Sequence, residues 1–236
     1  MVELTQNIKD ILNATATSTI TGFLNRRGLN NMFLQNVAPL RLGIPRMVGL
    51  AYTLRFLPQR ADKKSPLGSA QQTAMENCPP NHVLMIDSRG DARAASAGDL
   101  FIGRLAARGC AGIVTDGGFR DSEGVLKTGL PAYHQRPVSP PSPIAHLPYD
   151  IGLPIACGGV AVFPGDVVVG DCDGVVIIPP DLVEAIAAEC AAQNIFDEFA
   201  EAEVAKGRSL IGLFPVQDEQ CKADFAAWKK ARGIGG

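Results

Sequence analysis

The apolar residues of this chain change period several times, and each change marks an element. Between residues 5 and 27, Ile8, Ile11, Leu12, Ile20, Phe23 and Leu24 recur at loosely helical spacing and Gly28 stops the run, which predicts an N-terminal helical layer. Arg46 to Phe56 reads as a strand, the polar stretch Pro58 to Pro66 as a loop, and Ser69 to Asn77 as a helix. Pro79-Pro80-Asn81 turns the chain into the continuous apolar run Val83-Leu84-Met85-Ile86. That is the pattern of a buried strand, and it delivers Asp87 and Arg89-Gly90 at its C-terminal end. A helix is predicted from Gly98 to Gly109, then a short buried strand Ile113-Val114-Thr115 that opens into the loop Asp116-Gly117-Gly118-Phe119-Arg120-Asp121.

Beyond that loop, Ser122 to Thr128 suits a short helix and Leu130 to His134 a strand. Pro137, Pro140, Pro141, Pro143 and Pro148 make Arg136 to Pro148 an extended excursion without regular hydrogen bonding, of a length that suits a lid or a piece of subunit interface. Val160 to Phe163, Val167 to Val169 and Val175 to Ile178, separated by Pro-Gly-Asp and Asp-Cys-Asp-Gly turns, read as a three-stranded meander. Pro179-Pro180-Asp181 then starts a long helix that runs to about Lys206 and ends at Gly207. Ser209 to Phe214 and the polar tail of residues 216–236 carry little regular signal, and no internal repeat is visible. Strands alternating with helices place the chain in the α/β class.

Composition narrows the function. The 236 residues are 46% hydrophobic, enough for a substantial core. With 22 basic against 24 acidic residues and no dense Lys/Arg run, the chain has no electrostatic footprint for nucleic acid. The absence of a leader-like start and of a bilayer-length apolar run gives a cytoplasmic expectation with no membrane partner. Cys78, Cys110, Cys157, Cys172, Cys190 and Cys221 contain no C-x-x-C pair and read as reduced thiols, mostly in core elements. His82, His134 and His146 lack metal-ligand spacing and read as surface or rim residues, with His134 the nearest to a pocket. The acidic turns at Asp166 and at Asp171 to Asp173 are explained by turn chemistry.

The candidate chemistry sits at the two ends of one stretch. Gly98-Asp99 opens a helix, where free backbone N–H groups and the macrodipole suit a carboxylate. Beyond Asp99, after twenty intervening residues, comes Arg120-Asp121, a fixed cation beside a hard oxygen ligand for a divalent metal, placed after a strand end where ligands of α/β folds bind. Composition alone reads the same residues as a helix start and a surface ion pair. The context of the Gly-Asp and Gly-Gly sequences favours a site.

Gly98-Asp99-Leu100-Phe101, the D-x20-R-D interval and Gly117-Gly118-Phe119-Arg120-Asp121 resemble the signature of the RraA-like family, which contains class II aldolases acting on 4-hydroxy-4-methyl-2-oxoglutarate and 4-carboxy-4-hydroxy-2-oxoadipate. Pro80 to Asp87 and Gly158 to Pro179 resemble further family segments, so the likeness covers roughly residues 15–215 of one domain. The resemblance implies a swivelling β/β/α core with an N-terminal helical layer and a long C-terminal helix, assembled as a trimer or a hexamer with sites between subunits. It also implies that Asp121 holds Mg2+ or Mn2+, that Arg120 meets the C2 oxygen of a small 2-oxo acid, and that the N–H groups at Leu100 and Phe101 receive its carboxylate. Asp99 would order water at the metal. A glutamate from the neighbouring subunit's C-terminal helix would complete the outer metal shell, aligned here to Glu198, with Asp197 as the alternative. The activity implied is cleavage of a 4-hydroxy-2-oxo acid to pyruvate, with oxaloacetate decarboxylation through the same enolate; no Schiff-base lysine is needed, and Lys127 reads as a surface residue. Thr21-Gly22 and Phe101 depart from the family pattern, which usually has Asp-Ala and Leu there, and this bears on the substrate. The same family contains regulators that inhibit ribonuclease E without chemistry and lack the Asp-Arg-Asp set that this chain has. A lyase or dehydratase for sugar-derived oxo acids is a third reading.

Overall fold

A computed structural model describes residues 4–216 and 219–234. Residues 217–218 and 235–236 of the polar tail lie outside the described residues, as do residues 1–3. The chain forms two compact units, Met1–Ala187 and Ala188–Gly236.

The first unit is built on the 12-residue strand Met47–Pro58. On one side, Leu50 to Arg55 pair in parallel with His82 to Asp87, and that strand pairs in parallel with Gly112–Thr115, which in turn pairs with Ala132–His134. On the other side, the first half of Met47–Pro58 pairs antiparallel with Val167–Gly170 and the second half with His146–Ile151. The result is an eight-stranded mixed sheet. Its two faces bury different partners. Leu54, Leu84, Ile86 and Ile113 meet Ala74 and Met75 of helix Ala70–Asn77, Ile102 and Leu105 of helix Asp99–Ala107, and Val125 of helix Ser122–Lys127. Met47, Ala51, Val83, Met85 and Val114 pack instead on Ile155, Cys157, Val160 and Val162, from a separate two-stranded sheet. Helices on one face and strands on the other give the β/β/α layering and α/β class that the resemblance implies, and the residues buried on both faces of His82–Asp87 explain its continuous apolar sequence.

Several local expectations need correction. The N-terminal helix is two helices, Gln6–Ala14 and Thr17–Asn25, because Thr15 leaves the helical conformation and the second helix starts where Asp171 accepts hydrogen bonds from both the backbone N–H and the hydroxyl of Thr17. The proline-rich excursion includes regular structure: Arg136–Pro137 and His146–Ile151 are strands. Pro148 is tolerated because it lies opposite Phe56, where the register slips between Arg55 and Phe56. Val160–Val162 pairs with Ile155–Cys157 rather than with Val167–Gly170, so the three successive strands are not one meander.

In the second unit the tail is not weakly structured. Residues Glu219–Ala231 form a helix whose Cys221, Phe225 and Trp228 pack with Phe196, Phe199 and Leu213, while Arg208 joins Glu203 at 3.2 Å to Asp224 at 2.8 Å. Among the described residues, no helix is long and apolar enough to cross a membrane.

Candidate active site

A three-stranded parallel sheet brings the candidate residues together. Ala95–Ala97 pairs with Gly118–Phe119, which pairs with Arg136–Pro137. Ala97 lies opposite Phe119, and the Arg120 N–H donates to the Ala97 carbonyl at 3.1 Å. Gly98-Asp99 and Arg120-Asp121 therefore leave neighbouring strands at the same, C-terminal end. Asp99 and Arg120, with twenty residues between them in sequence, become neighbours in space.

The Gly98 backbone caps helix Asp99–Ala107, and the Asp99 carboxylate accepts from the Leu100 N–H at 2.8 Å. Arg120 Nε stands 3.2 Å from Asp121 Oδ2, with both side chains 45% exposed. Asp121 has φ +59° and ψ +42°, a left-handed conformation unusual for a residue with a side chain, and its carbonyl starts helix Ser122–Lys127 by accepting from Val125 N–H at 2.9 Å. Two glycines make room for these groups. A Cβ at Gly98 would lie 2.7 Å from Asp121 Oδ2 and 3.1 Å from Arg120 Nε, and one at Gly124 would lie 2.5 Å from Asp99 Oδ2. The sequence flagged Gly98 as a helix start; the need for Gly124 has no local signal.

These residues border a cleft of about 280 Å3. Ala97, Gly98, Asp99, Leu100, Phe101 and Arg120 line it together with Gln71, Gln72, Pro141, Ser142 and Pro143. Phe101 is partly buried against the core, whereas Leu100 is 86% exposed. The proline-rich segment thus contributes three residues to the lining, which the lid-or-interface expectation did not specify.

A buried polar layer fixes the loop from below. Asp116 accepts N–H groups of Ser88 at 2.6 Å, Gly90 at 2.9 Å and Gly158 at 3.3 Å. Burial raises its pKa above the usual carboxylate value, with nearby Asp87 adding to the rise, and those backbone donors pull it back. The hydroxyls of Ser88, Ser96 and Thr115 lie 2.7 to 3.1 Å apart, and a Cβ at Gly117 would approach Ser96 Oγ to 2.6 Å. None of this support was visible in the sequence, where Asp116 reads as one more loop acid.

The histidines also differ from expectation. His134 and His146 are buried rather than at a surface or rim. His134 Nδ1 accepts the Phe119 N–H at 3.3 Å and its ring stacks on Phe119, so it positions the residue just before Arg120 without lining the cleft. Burial lowers its pKa to about 4, which keeps the ring neutral.

Asp121 offers an exposed carboxylate in a cradle that a Cβ at Gly98 would fill, with hard oxygen chemistry suited to a divalent cation. Asp171, Cys172 and Asp173 bring three metal-type ligand atoms within 4.8 Å of one another, but Asp171 is occupied by Thr17 and by the Asp173 N–H, so turn chemistry accounts for it. Glu198 lies in the second unit, its carboxylate 3.2 Å from Arg232, and Asp197 accepts from Gln193 at 2.7 Å.

Comparison with known proteins gives a consistent picture. The model of the RraA-like family, described as Aldolase/RraA, matches residues 5–177. A Halalkalibacterium halodurans protein provisionally named 4-hydroxy-4-methyl-2-oxoglutarate aldolase is 34% identical over 131 residues, covering 56% of this chain and 62% of that protein, so the chain spans less than two-thirds of that relative. The crystal structure of Streptomyces coelicolor RraAS2, described as an unusual member of the RNase ES inhibitor RraA protein family, matches with a TM-score of 0.76 at 30% identity, covering 84% of this chain and 96% of that one. An uncharacterized Pseudomonas syringae protein matches with a TM-score of 0.78 over 90% of this chain and 99% of that one, and at 20% identity it speaks for the fold alone.

Proposed function

We propose, from the premise that this chain belongs to the RraA-like family, that it is a divalent-metal-dependent lyase that cleaves a 4-hydroxy-2-oxo acid to pyruvate and decarboxylates oxaloacetate. The observation that carries the reading is the convergence of Gly98-Asp99 and Arg120-Asp121 at the ends of adjacent parallel strands.

In this reading the helix start at Leu100 and Phe101 receives the C1 carboxylate, which takes over the Leu100 N–H from the Asp99 carboxylate and draws on the positive end of the macrodipole. Arg120 faces the C2 oxygen. Asp99, reaching through a water, accepts the proton of the 4-hydroxyl. The C3–C4 bond then breaks: C4 becomes a carbonyl, and the electron pair moves into the C2–C3 enolate, whose oxygen charge Arg120 stabilises. A proton returned to C3 yields pyruvate. Asp121 holds the cation, Mg2+ or Mn2+, which when bound supplies Lewis acidity to the 2-oxo acid. Oxaloacetate loses CO2 from the corresponding carbon and leaves the same enolate.

A trimer or hexamer with a site shared between neighbours follows from the family reading, with Glu198, or else Asp197, reaching the metal's outer shell from the adjacent subunit. The 86% exposed Leu100 beside the cleft supports such a cover. The likeness to RraAS2 favours a second reading, a non-catalytic ribonuclease regulator. One experiment separates them: pyruvate release from oxaloacetate and from 4-hydroxy-2-oxo acids with Mg2+ or Mn2+, then with chelator. Chelator-sensitive release is expected; none from any substrate, together with inhibition of ribonuclease E, would favour the regulator.

A further inference from the structure

The core cluster that includes helices Ala70–Asn77 and Asp99–Ala107 also contains two cysteines, Cys78 directly after the first helix and Cys110 shortly after the second. The fold brings their sulfurs together. Cys110 Sγ lies 3.7 Å from the carbonyl oxygens of both Cys78 and Pro79, and Cys78 Sγ lies 4.0 Å from that of Pro79; the two thiols hydrogen-bond to each other. A cation reaches the same place, with Arg108 Nε 3.4 Å from the Cys78 carbonyl oxygen. The acid nearest to Arg108, Glu76, is 3.9 Å away and is held more closely by Arg104, at 2.7 Å. The two cysteines are not equivalent. Cys78 is fully buried, whereas Cys110 remains 7% exposed. The hydrogen bond from Cys78 pulls the Cys110 pKa below the ordinary thiol value, and the Arg108 charge adds to the fall against the opposing effect of burial. Cys78 keeps its proton, pushed well up by the same bond and by burial. Cys157 is the contrast within the same chain: enclosed completely, its thiol is raised well above the ordinary value by burial and then by Asp116 and Asp87.

We propose that Cys110 and Cys78 are a reversible redox pair, in which Cys110 attacks a peroxide and Cys78 resolves the product to a disulfide. The Cys110 thiolate takes one oxygen as the O–O bond breaks, and the leaving oxygen, once protonated, departs as water or an alcohol. The product is a sulfenic acid. The Cys78 sulfur then displaces the hydroxyl from Cys110, and the Cys78 proton leaves with it as water. The two sulfurs together lose two electrons and the peroxide gains them; a thiol reductant of the glutathione class reverses the change. The arrangement has what each step requires: a sulfur that is not wholly enclosed, a cation beside it to favour the thiolate, and a second thiol already in contact. The disulfide would tie the end of helix Ala70–Asn77 to the exit of helix Asp99–Ala107, whose opposite ends contribute Gln71, Gln72 and Asp99 to the cleft. This chemistry needs neither the oxo acid nor the metal.

The test treats the reduced, assembled protein with hydrogen peroxide, digests it without reductant and maps the peptides by mass spectrometry. A cross-linked peptide joining Cys78 to Cys110, removed by dithiothreitol, is expected. In Cys78→Ser, dimedone is expected to trap the sulfenic acid at Cys110; in Cys110→Ser, Cys78 is expected to stay unlabelled. A second measurement needs no variant. In the untreated native protein at neutral pH, iodoacetamide is expected to alkylate Cys110 at least tenfold faster than Cys157, a ratio read within one folded preparation. A peroxide-treated protein without the cross-linked peptide, oxidation confined to the exposed Cys172, or alkylation of Cys110 no faster than of Cys157 would each overturn the proposal and leave Cys78 and Cys110 as core packing alone.

Discussion

Substituting Gly98 by alanine tests the geometry of the site with little cost to the fold. Gly98 has φ −131° and ψ −176°, extended backbone that any residue adopts, so no strain accompanies the change. Alanine is a poorer helix cap than glycine by up to about 1 kcal/mol, but it lowers unfolded-chain entropy by about 0.4 to 1 kcal/mol. The net effect on stability is near zero. Its effect on the site is not. The added Cβ would lie 2.7 Å from Asp121 Oδ2 and 3.1 Å from Arg120 Nε, against a normal contact of about 3.4 Å or more. Both groups must retreat, the carboxylate by about 0.7 Å, and a displacement approaching 1 Å at reacting groups costs roughly 100-fold in rate. The assay pairs the thermal midpoint with Mn2+-dependent pyruvate release. A variant that melts within about 3 °C of the parent and loses 30- to 100-fold in kcat/KM agrees with this geometry; one that keeps its midpoint and at least a third of its activity refutes it.

Other substitutions probe the remaining parts. Arg120→Ala should lower kcat/KM by about 1000-fold on every oxo acid, since it removes the fixed charge facing the enolate oxygen, and a loss below tenfold in a folded variant would remove Arg120 from the chemistry. Asp121→Asn should abolish tight Mn2+ binding measured by calorimetry in the assembled protein; unchanged affinity would move the metal elsewhere. For His134, the folded pKa of about 4 lies below the usual 6.5, so the unfolded state takes up the proton first as pH falls. Its contribution is neutral above pH 6.5, becomes progressively destabilising between 6.5 and 4, and amounts to about 3 kcal/mol below that. His134→Asn keeps an acceptor for the Phe119 N–H and removes the titration. Urea unfolding across pH 4 to 7 should therefore show a shallower loss of stability with acid in the variant, by up to about 1.4 kcal/mol per pH unit, and parallel curves would refute the assignment.

What the sequence revealed and what it hid divide by the range of the signal. The helix from Gly98 and the strand ending at Thr115 follow from residues within a few positions of each other, and the structure has them as Asp99–Ala107 and Gly112–Thr115. The strands Ala95–Ala97, Gly118–Phe119 and Arg136–Pro137 are two or three residues long, too short for any alternation to register, yet they bring the two halves of the site side by side. The tail helix carried a weak signal, with Cys221, Phe225 and Trp228 at helical spacing, submerged in a polar composition. Burial of His134 and His146 depends on what long-range pairing stacks against them, so no local pattern encodes it.

The interval between Asp99 and Arg120 therefore carries structural information beyond its four letters. From Ala97 the chain runs through a nine-residue helix, about 13 Å of rise, returns along Gly112–Thr115 in the large sheet, and crosses at Asp116 into the strand beside the one it left. Asp116, tied to Ser88, Gly90 and Gly158, fixes where that crossing occurs. A residue added or removed in the helix would turn one end against the other by about 100°. A spacing that recurs with the motif is thus the length of a particular crossover, and the identity of the residues and the path between them encode the site together.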